Sequence, residues 1–343
     1  MAKNVLPSAA AQQTEPEKAK GRGAFWSNLA GIFLRRREAS IIVVAILLVI
    51  YFQASNQNFS TQANIRTISQ FAAATAIIAA GEVMLLICGE IDLSVGNVFA
   101  LAPFIMYFTN QAGLPLWVGI VFGLLVSAVV GLLNGLVTVL LKVPSFITTL
   151  GTLFLLQGLT LTISNGFPVL IPEAGAFNQV FGNSPYSEII WAIVIAIVMQ
   201  IILSYTRWGL HTVATGGNLL GASESGVNVN RVKIGNFMLA SVFGGFAGIL
   251  EAFRITSIDP NTGGPGIMFM AVAGAVIGGT SLMGGLGTIV GAFLGVLVLS
   301  ILNDGFTLLG VSAFTFDLIL GAAILIAMIL NVRLQLLREA GRQ

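Results

Sequence analysis

Three carboxylates in an apolar stretch are the residues of this chain whose types and spacing could do chemistry. Glu82, Glu90 and Asp92 fall within eleven residues. The run from Phe71 to Cys88 is otherwise largely apolar, so Glu82 stands alone within it. Acidic groups gathered in such surroundings could bind a cation or relay a proton.

The same residue types allow structural interpretations. Asp92 precedes Leu-Ser and can cap a helix, because its carboxylate can accept from the first free main-chain amides. Glu82 is expected to face the interior of a helix bundle with a hydrogen-bond partner, or to line a pathway. Glu251 and Arg254 are three residues apart, a spacing that predicts an ion pair on one helical face.

Residues for enzymatic chemistry do not come together in this sequence. His211 is the single histidine and Cys88 the single cysteine, so no histidine-based triad or metal cluster is expected. No lysine follows a glycine, and the phosphate-binding loop GxxxxGK[ST] is therefore missing. The sequence predicts a chain without catalytic residues, metal or cofactor, and any ATP must be hydrolysed by another chain.

The elements that position these residues are expected to be membrane-spanning helices. Hydrophobic residues make up 56% of the 343 residues, charged residues only 9%, and the mean hydropathy is +0.93. Soluble domains are about a quarter charged, so the composition predicts an all-α, polytopic transmembrane bundle. Each span needs about 20 mainly apolar residues. About ten spans are predicted: 40–56, 68–88, 91–109, 115–141, 144–165, 188–206, 234–253, 266–283, 285–302 and 309–331.

Eight full spans are the alternative, if 91–109 and 266–283 are re-entrant or broken. Lysine and arginine stay preferentially on the cytoplasmic side of short loops. With the N-terminus inside, only Arg66 and Arg254 among the sixteen Lys and Arg residues are outside. The sequence therefore predicts cytoplasmic tails at 1–38 and 333–343, flanking a transmembrane domain at 39–332.

Glycines spaced by four predict close helix packing. Such spacing lets helix backbones approach in lipid, where no hydrophobic effect drives association. Packing within one subunit and a contact between subunits both remain open. The glycines are Gly119 and Gly123, Gly131 and Gly135, Gly244 and Gly248, Gly274 and Gly278, and Gly287, Gly291 and Gly295.

Two polar interruptions predict broken helices, namely CGEIDLSVGN at 88–97 and IGGTSLMGGLGT at 277–288. Irregular backbone is tolerated in a membrane only where protein or a cavity covers it. The interruptions occupy similar places in 68–165 and 234–331. An internal duplication of four spans is therefore a further hypothesis.

One sizeable polar segment, 206–233, is expected to contain a short helix that another protein can contact. An ordinary amphipathic linker is the alternative. Glycines would break the chain before this helix and end it, and an asparagine would cap it. The chain is expected to break at Gly216 and Gly217, and Asn218 is the expected cap. The apolar contacts would be Leu219, Leu220 and Ala222, and the helix would end at Gly226.

Four segments carry a resemblance that covers nearly all of residues 40–331. They read GEIDLSVGNVFAL at 89–101, VPSFITTLGTLFLLQGLT at 143–160, ATGGNLLGASESGVNVNRVKI at 214–234 and AVIGGTSLMGGLGTIVGAFLGVLVLSILNDGFTLLGVSAF at 275–314. Together they resemble the membrane permease subunit of ribose-type sugar ABC importers. The resemblance implies a multi-pass permease of the bacterial inner membrane, surrounded by lipid, with no enzymatic activity and no nucleic-acid partner.

The resemblance also implies three protein partners. These are a second permease copy, a separate ATP-binding-cassette ATPase subunit inside the cell and a periplasmic sugar-binding protein outside. The binding protein is expected on the loops near 166–187 and 255–265. The family's segment after the sixth span docks into the ATPase, which implies that role for 206–233.

The match at this segment is uneven. The family pattern is similar to A-x-GGN-x-EAA-x-x-SGI. Leu220 stands where the family has Glu, and Gly221 replaces the following Ala. Docking is therefore expected to rest on small residues and shape rather than on charge. The matching residues are Ala214, Gly216, Gly217, Asn218, Ala222, Ser225 and Gly226.

A second departure lies before the eighth span. The family often has G-x-G-x-E-L-D-A, whereas this chain reads GPGIMFMA at 264–271. Met268 and Met270 replace the two acids. Those carboxylates are not required in this chain, or its substrate path is tuned differently.

A sugar pathway would be lined by polar groups at membrane depth. Hydrogen bonds between packed helices explain such residues equally well. The candidates are Glu82, Asp92, Ser94, Asn134, Ser145, Thr148, Thr149, Thr152, Gln157 and Asn303.

Two other functions stay open. A cation-coupled secondary transporter would use Glu82 and Asp92 and would work without an ATPase. A permease of the related branched-chain amino-acid importers shares the architecture. It is expected to match the IDLSVG and IGGTSLMGG segments less well.

Overall fold

The computed structural model describes residues 37–172 and 176–312, together with 315, 317–319, 321–322, 325–326 and 329. Apart from loops and one pair of two-residue strands, the described residues are helical. The first five helices are α1 Arg37–Ser55, α2 Gln62–Ile87, α3 Val95–Gln111, α4 Leu116–Leu140 and α5 Ser145–Ile163. Strand β1 is Val169–Leu170, followed by a short turn Ala176–Asn178 and a π-helical turn Gln179–Asn183.

The second part of the chain adds six helices and the second strand. They are α6 Ser187–Tyr205, α7 Arg207–Gly217, α8 Leu219–Glu224, α9 Val229–Ile255, β2 Ser257–Ile258, α10 Gly264–Ile277 and α11 Ile289–Leu308. Six described helices are long and apolar enough to cross a membrane: α2, α4, α5, α6, α9 and α11. The predicted all-α polytopic bundle is confirmed.

Several predicted spans differ in extent from the helices. The span placed at 91–109 begins only at Val95, and the one placed at 285–302 is the helix Ile289–Leu308. The predicted span 234–253 is longer, so the last residues of 206–233 already belong to α9, which begins at Val229. The tails at 1–38 and 333–343 and most of 309–331 lie outside the described residues.

Helix α2 forms the centre of the bundle. It packs against α6, α7, α9, α10 and α11, and its apolar stretch is 89% buried. Much of it is alanine, including Ala72, Ala73, Ala76, Ala79 and Ala80. Small side chains let several helices approach one another closely in a membrane, which explains how a single helix can be enclosed on all sides.

Glycines set the approach of α9 to its neighbours, as their spacing predicts. A Cβ atom on Gly248 would lie 1.9 Å from the main-chain oxygen of Phe99, and one on Gly131 would lie 2.4 Å from that of Phe237. Contacts that short exclude any larger residue unless the helices separate. These glycines therefore fix packing within one subunit.

Both predicted interruptions are present, and they meet. Residues 88–94 and 278–288 are not helical. The main-chain N–H of Gly285 donates to the oxygen of Ile87 at 2.8 Å. The first turn of α3, just after the first interruption, also touches the first turn of α10. A Cβ atom on Gly96 would lie 2.0 Å from the main-chain oxygen of Gly264.

The two ends of the bundle are distinct. We call the end that carries α7 and α8 the coupling end, and the end that carries β1 and β2 the sheet end. The strands are antiparallel, with Val169 opposite Ile258. This pairing brings together the loops near 166–187 and 255–265 that the resemblance implies as the docking surface.

Candidate translocation cleft and coupling segment

Asp92 is the centre of a buried polar network between the helices. Its Oδ1 accepts from the main-chain N–H of Ser94 at 2.9 Å and from the Ser94 hydroxyl at 2.6 Å. Asn134 Nδ2 donates to both Asp92 oxygens at 3.2–3.3 Å, and the Ser241 hydroxyl donates at 3.4 Å. The network continues from Asn134 Oδ1 to the hydroxyl of Thr152 at 2.6 Å.

Asp92 does not occupy the cap position of α3, although its carboxylate accepts from a main-chain amide at the entry to that helix, as expected. Helix α3 begins at Val95, and Ser94 occupies the cap position without a side-chain cap bond. Asp92 instead accepts from the residue just before the helix and from side chains of α4 and α9. A fully buried carboxylate needs several donors to offset its lost hydration, and these come from three separate elements.

Glu82 is fully buried in α2 and faces the bundle, as the sequence predicts. Neither Glu82 oxygen has a hydrogen bond of standard geometry to the described residues, although the main-chain N–H of Asp92 lies close to its carboxyl group. The Asp92 carboxylate lies close enough to influence it electrostatically. The two candidate acids are therefore neighbours inside the packed bundle.

The other candidate pathway residues fall in different places. The Thr149 hydroxyl is buried and donates to the main-chain oxygen of Ser145 at 2.8 Å. Ser145 is also buried and accepts from the N–H of Ile91 at 3.4 Å. Gln157 is exposed on α5. None of these lines the cleft that contains another candidate, Asn303.

That cleft lies among α2, α3, α9, α10 and α11 and has a volume of about 270 Å³. This is just below the range of about 300–1,000 Å³ usual for small-molecule sites. Its lining residues are Gln70, Phe71, Ala74, Thr75, Phe99, Glu251, Arg254, Thr262, Gly263, Ile267, Met270 and Asn303.

The cleft reaches from the sheet end to the contact between the first turns of α3 and α10. Arg254 stands at the end of α9 beside the strands. Gly263 packs at the deep side, where an added Cβ would lie 2.5 Å from the oxygen of Gly96. Of the two methionines that replace family acids, Met268 is fully buried and Met270 lines the cleft.

A charged group at the cleft is internally paired. Arg254 Nε donates to Glu251 Oε2 at 2.8 Å, and its Nη2 also donates to Glu251. The predicted pair is therefore confirmed. Glu188 of α6 is a second partner of Arg254 that the sequence does not indicate. Its Oε2 lies 3.5 Å from Arg254 Nε, and the Glu188 side chain is almost fully buried.

The predicted short helix in the polar segment is present as α8. Asn218 caps it by accepting from the N–H of Gly221 at 2.9 Å. It ends before Gly226, which has the left-handed φ of +86° that favours glycine. The expected break differs by one position, since Gly216 and Gly217 are the last residues of α7 and the chain bends at Asn218.

Helix α8 presents apolar residues to the outside. Leu220 is 74% exposed and Leu219 is 48% exposed, whereas Ala222 is buried. The Ser225 hydroxyl donates to the main-chain oxygen of Gly221 at 2.7 Å. Leu219 and Leu220 therefore form an uncovered apolar surface on a short, capped helix.

Helix α7 is fastened to the core of the bundle. Its Gly216 packs on the end of α2, since an added Cβ would lie 1.6 Å from the oxygen of Ile87. The N–H of Gly285, from the second interruption, donates to that same oxygen. The end of α7, the end of α2 and the break before α11 therefore meet at one point.

Asn236 adds a second attachment that the sequence analysis missed. Its Nδ2 donates to the main-chain oxygen of Met84 at 3.2 Å and to the Thr212 hydroxyl at 3.2 Å. Its Oδ1 accepts from the indole N–H of Trp208 at 2.8 Å. A buried asparagine in an apolar helix is the signal that could have indicated this junction.

Two further contacts were also missed. Lys233 Nζ forms an ion pair with Glu90 Oε1 at 2.5 Å, joining α9 to the first interruption. Gln200 Oε1 accepts from the N–H groups of Ile289 and Val290 at 2.9 and 3.1 Å, and so satisfies the first turn of α11. These pairs are 143 and 89 or 90 residues apart in sequence, so local patterns do not indicate them.

Comparison with known proteins agrees with this architecture. Residues 64–328 match a family described as the branched-chain amino acid transport system / permease component. The chain belongs to this family. It is a permease component, a transport subunit rather than an enzyme, and a membrane protein.

Curated relatives of this permease include sugar and autoinducer import permeases. It is 39% identical over 305 residues to the xylose/arabinose import permease protein XylH of Sulfolobus acidocaldarius, covering 87% of this chain and 85% of the relative. It is 32% identical to the ribose import permease protein RbsC of Escherichia coli K12, covering 87% and 94%. It is 34% identical to the autoinducer 2 import system permease protein LsrC of Photorhabdus luminescens, covering 88% and 91%.

No solved structure matches this permease. The resemblance to sugar importers drawn from the sequence is confirmed by these relatives. The IDLSVG and IGGTSLMGG segments that carried it form the two interruptions that meet in the fold.

Proposed function

We propose that this permease moves a monosaccharide or related polyol across the cell's inner membrane as part of an ATP-driven importer. A separate ATP-binding-cassette subunit supplies the energy, and a sugar-binding protein delivers the substrate. The observation that carries the proposal is the junction of α7 with the end of α2 and the break before α11.

That junction gives a physical route for energy. Helix α8 exposes Leu219 and Leu220, and Asn218 alone separates it from the end of α7. Gly216 allows main chain to rest directly on main chain at Ile87. A push on α8 therefore reaches two broken helices of the core. Shape and apolar contact would hold the ATPase, since Leu220 replaces the family acid.

The sheet end suits the sugar-binding protein. The strand pair and the ion pair between Arg254 and Glu188 hold the two loops near 166–187 and 255–265 against each other. With the coupling end cytoplasmic, as the charge bias predicts, this surface faces the outside. The cleft opens beside it and leads to the junction of α3 and α10.

A second permease copy completes the assembly in this proposal. Phe71, at the rim of the cleft, is 56% exposed, and the neighbouring polar groups would be costly to place against lipid. A second copy across this face would enclose the cleft and form a water-filled pathway between subunits.

Cation-driven transport by this chain alone is less well supported. Both Asp92 oxygens already accept hydrogen bonds, which Ser94, Asn134 and Ser241 donate. Glu82 and Asp92 are both fully buried and neither lines the cleft. Asp92 therefore fits a structural network better than an ion pathway.

The coupling surface can be tested with a charge on α8. We expect Leu220→Arg to reduce co-purification of the ATPase subunit at least about 5-fold, because an interface anchor is worth about 1 kcal/mol or more. Leu141→Arg is the matched control, since Leu141 is 70% exposed and lies outside α8. Equal ATPase recovery with both variants would show that α8 is not the docking surface.

A further inference from the structure

The cleft has polar groups that the fold itself does not use. The side-chain amides of Gln70 and Asn303 line it, and neither amide hydrogen-bonds to the described residues. Both residues are only partly exposed. Amides in such a position are unfavourable unless water or a ligand binds them.

Hydroxyl groups extend this polar surface. Thr75 donates to the main-chain oxygen of Phe71 at 3.2 Å, and Thr262 donates to that of Asp259 at 2.7 Å. Each hydroxyl oxygen keeps acceptor capacity after donating. The cleft therefore offers both donors and acceptors, which is what a polyhydroxylated ligand needs.

The charges at the cleft exclude a charged ligand. Arg254 is engaged by Glu251 through two nitrogens and lies beside Glu188. A zwitterionic amino acid would need a free cation for its carboxylate and a free anion for its ammonium group. The paired ions supply neither without breaking contacts of their own.

Aromatic and apolar side chains also line the cleft. Phe71 and Phe99 lie on α2 and α3, and Ile267 and Met270 lie on α10. The C–H face of a sugar ring is apolar and can cover such a surface, while its hydroxyl groups bind the amides.

We propose that this cleft is a low-affinity binding subsite for a neutral monosaccharide within the permease itself. Gln70, Asn303 and Thr262 bind its hydroxyl groups, and Phe71 covers its apolar face. The proposal rests on the proposed function. It places part of the substrate selection in the permease and not only in the binding protein. Weak binding suits a pathway, because a ligand must leave as readily as it enters.

The test uses the permease–ATPase complex in lipid nanodiscs, without ATP or binding protein. Binding of D-xylose, D-ribose and L-arabinose is followed by saturation-transfer difference NMR, with L-leucine as the charged comparison. We expect saturable binding of at least one pentose and no competition by L-leucine. Asn303→Leu should weaken pentose binding about 3- to 10-fold, the value of one or two neutral hydrogen bonds.

Thr307→Val is the matched control, since Thr307 is exposed one turn further along α11 and does not line the cleft. If Asn303→Leu does not yield a folded complex, Gln70→Leu takes its place with the same expected loss. Absence of pentose binding, unchanged binding in both cleft variants, or displacement by L-leucine would overturn the subsite.

ATP-driven uptake by the complete assembly separates this proposal from the proposed function. Pentose uptake without binding at the cleft would refute the subsite alone. If the complete assembly with its sugar-binding protein takes up no sugar, the proposed function itself is wrong.

Discussion

The two halves of this permease, the coupling half toward the coupling end and the sheet half toward the sheet end, use polar residues in opposite ways. In the coupling half, Asp92 and Asn134 are fully buried and share their hydrogen bonds with neighbours. In the sheet half, Gln70 and Asn303 line a cleft with their amides free of the described protein groups. Asparagine occurs in both halves, as Asn134 and as Asn303, so the hydrogen bonds that each side chain makes distinguish a structural polar residue from one that can bind a substrate.

The largest effect is expected in the coupling half, where Gly216 packs directly on the main-chain oxygen of Ile87. Gly216→Ala should destabilise the fold by about 3 kcal/mol, because the added methyl would overlap the oxygen of Ile87. The measurement is the thermal unfolding of the permease in detergent. Gly151→Ala is the control, since an added Cβ there meets no atom within 4 Å.

A smaller effect is expected in the Asp92 network. Asn134→Leu removes the amide that donates to Asp92 and to Ser94, and should lower the free energy of unfolding by about 2–3 kcal/mol. The same unfolding measurement checks it. If Asn134→Leu is as stable as the unmodified permease but loses sugar uptake, the network belongs to the pathway and the comparison fails.

The sheet half should show the next effect at its ion pair. Arg254→Gln leaves Glu188 buried without its cation and should cost about 2 kcal/mol, less than a fully enclosed pair because Arg254 is partly exposed. Arg254→Gln combined with Glu188→Gln should recover part of that loss. A double variant no more stable than Arg254→Gln would show that the two residues are not coupled.

Much of the architecture was predictable because its signals are local. Apolar runs indicated the spans, Asn218 and Gly226 bounded α8, and the spacing of Glu251 and Arg254 gave their ion pair. Glycines four residues apart indicated close helix approaches such as that of Gly248 to Phe99. Each of these depends on residues within a few turns of one another.

The site was less predictable because it depends on contacts between distant segments. Of the candidate pathway residues, Asn303 lines the cleft, whereas Asp92 and Asn134 bond each other. Polarity at membrane depth is common to all three, and the sequence does not say which neighbours each will find. Asn236 and Gln200 were missed for the same reason, since their partners lie far along the chain.

The central claim is that this chain carries a sugar only when a separate ATPase drives it. The most direct measurement is pentose uptake into proteoliposomes that contain the permease alone or with its ATPase and sugar-binding protein. We predict ATP-dependent uptake by the complete assembly and none by the permease alone under a proton or sodium gradient. Gradient-driven uptake by the permease alone would contradict the account.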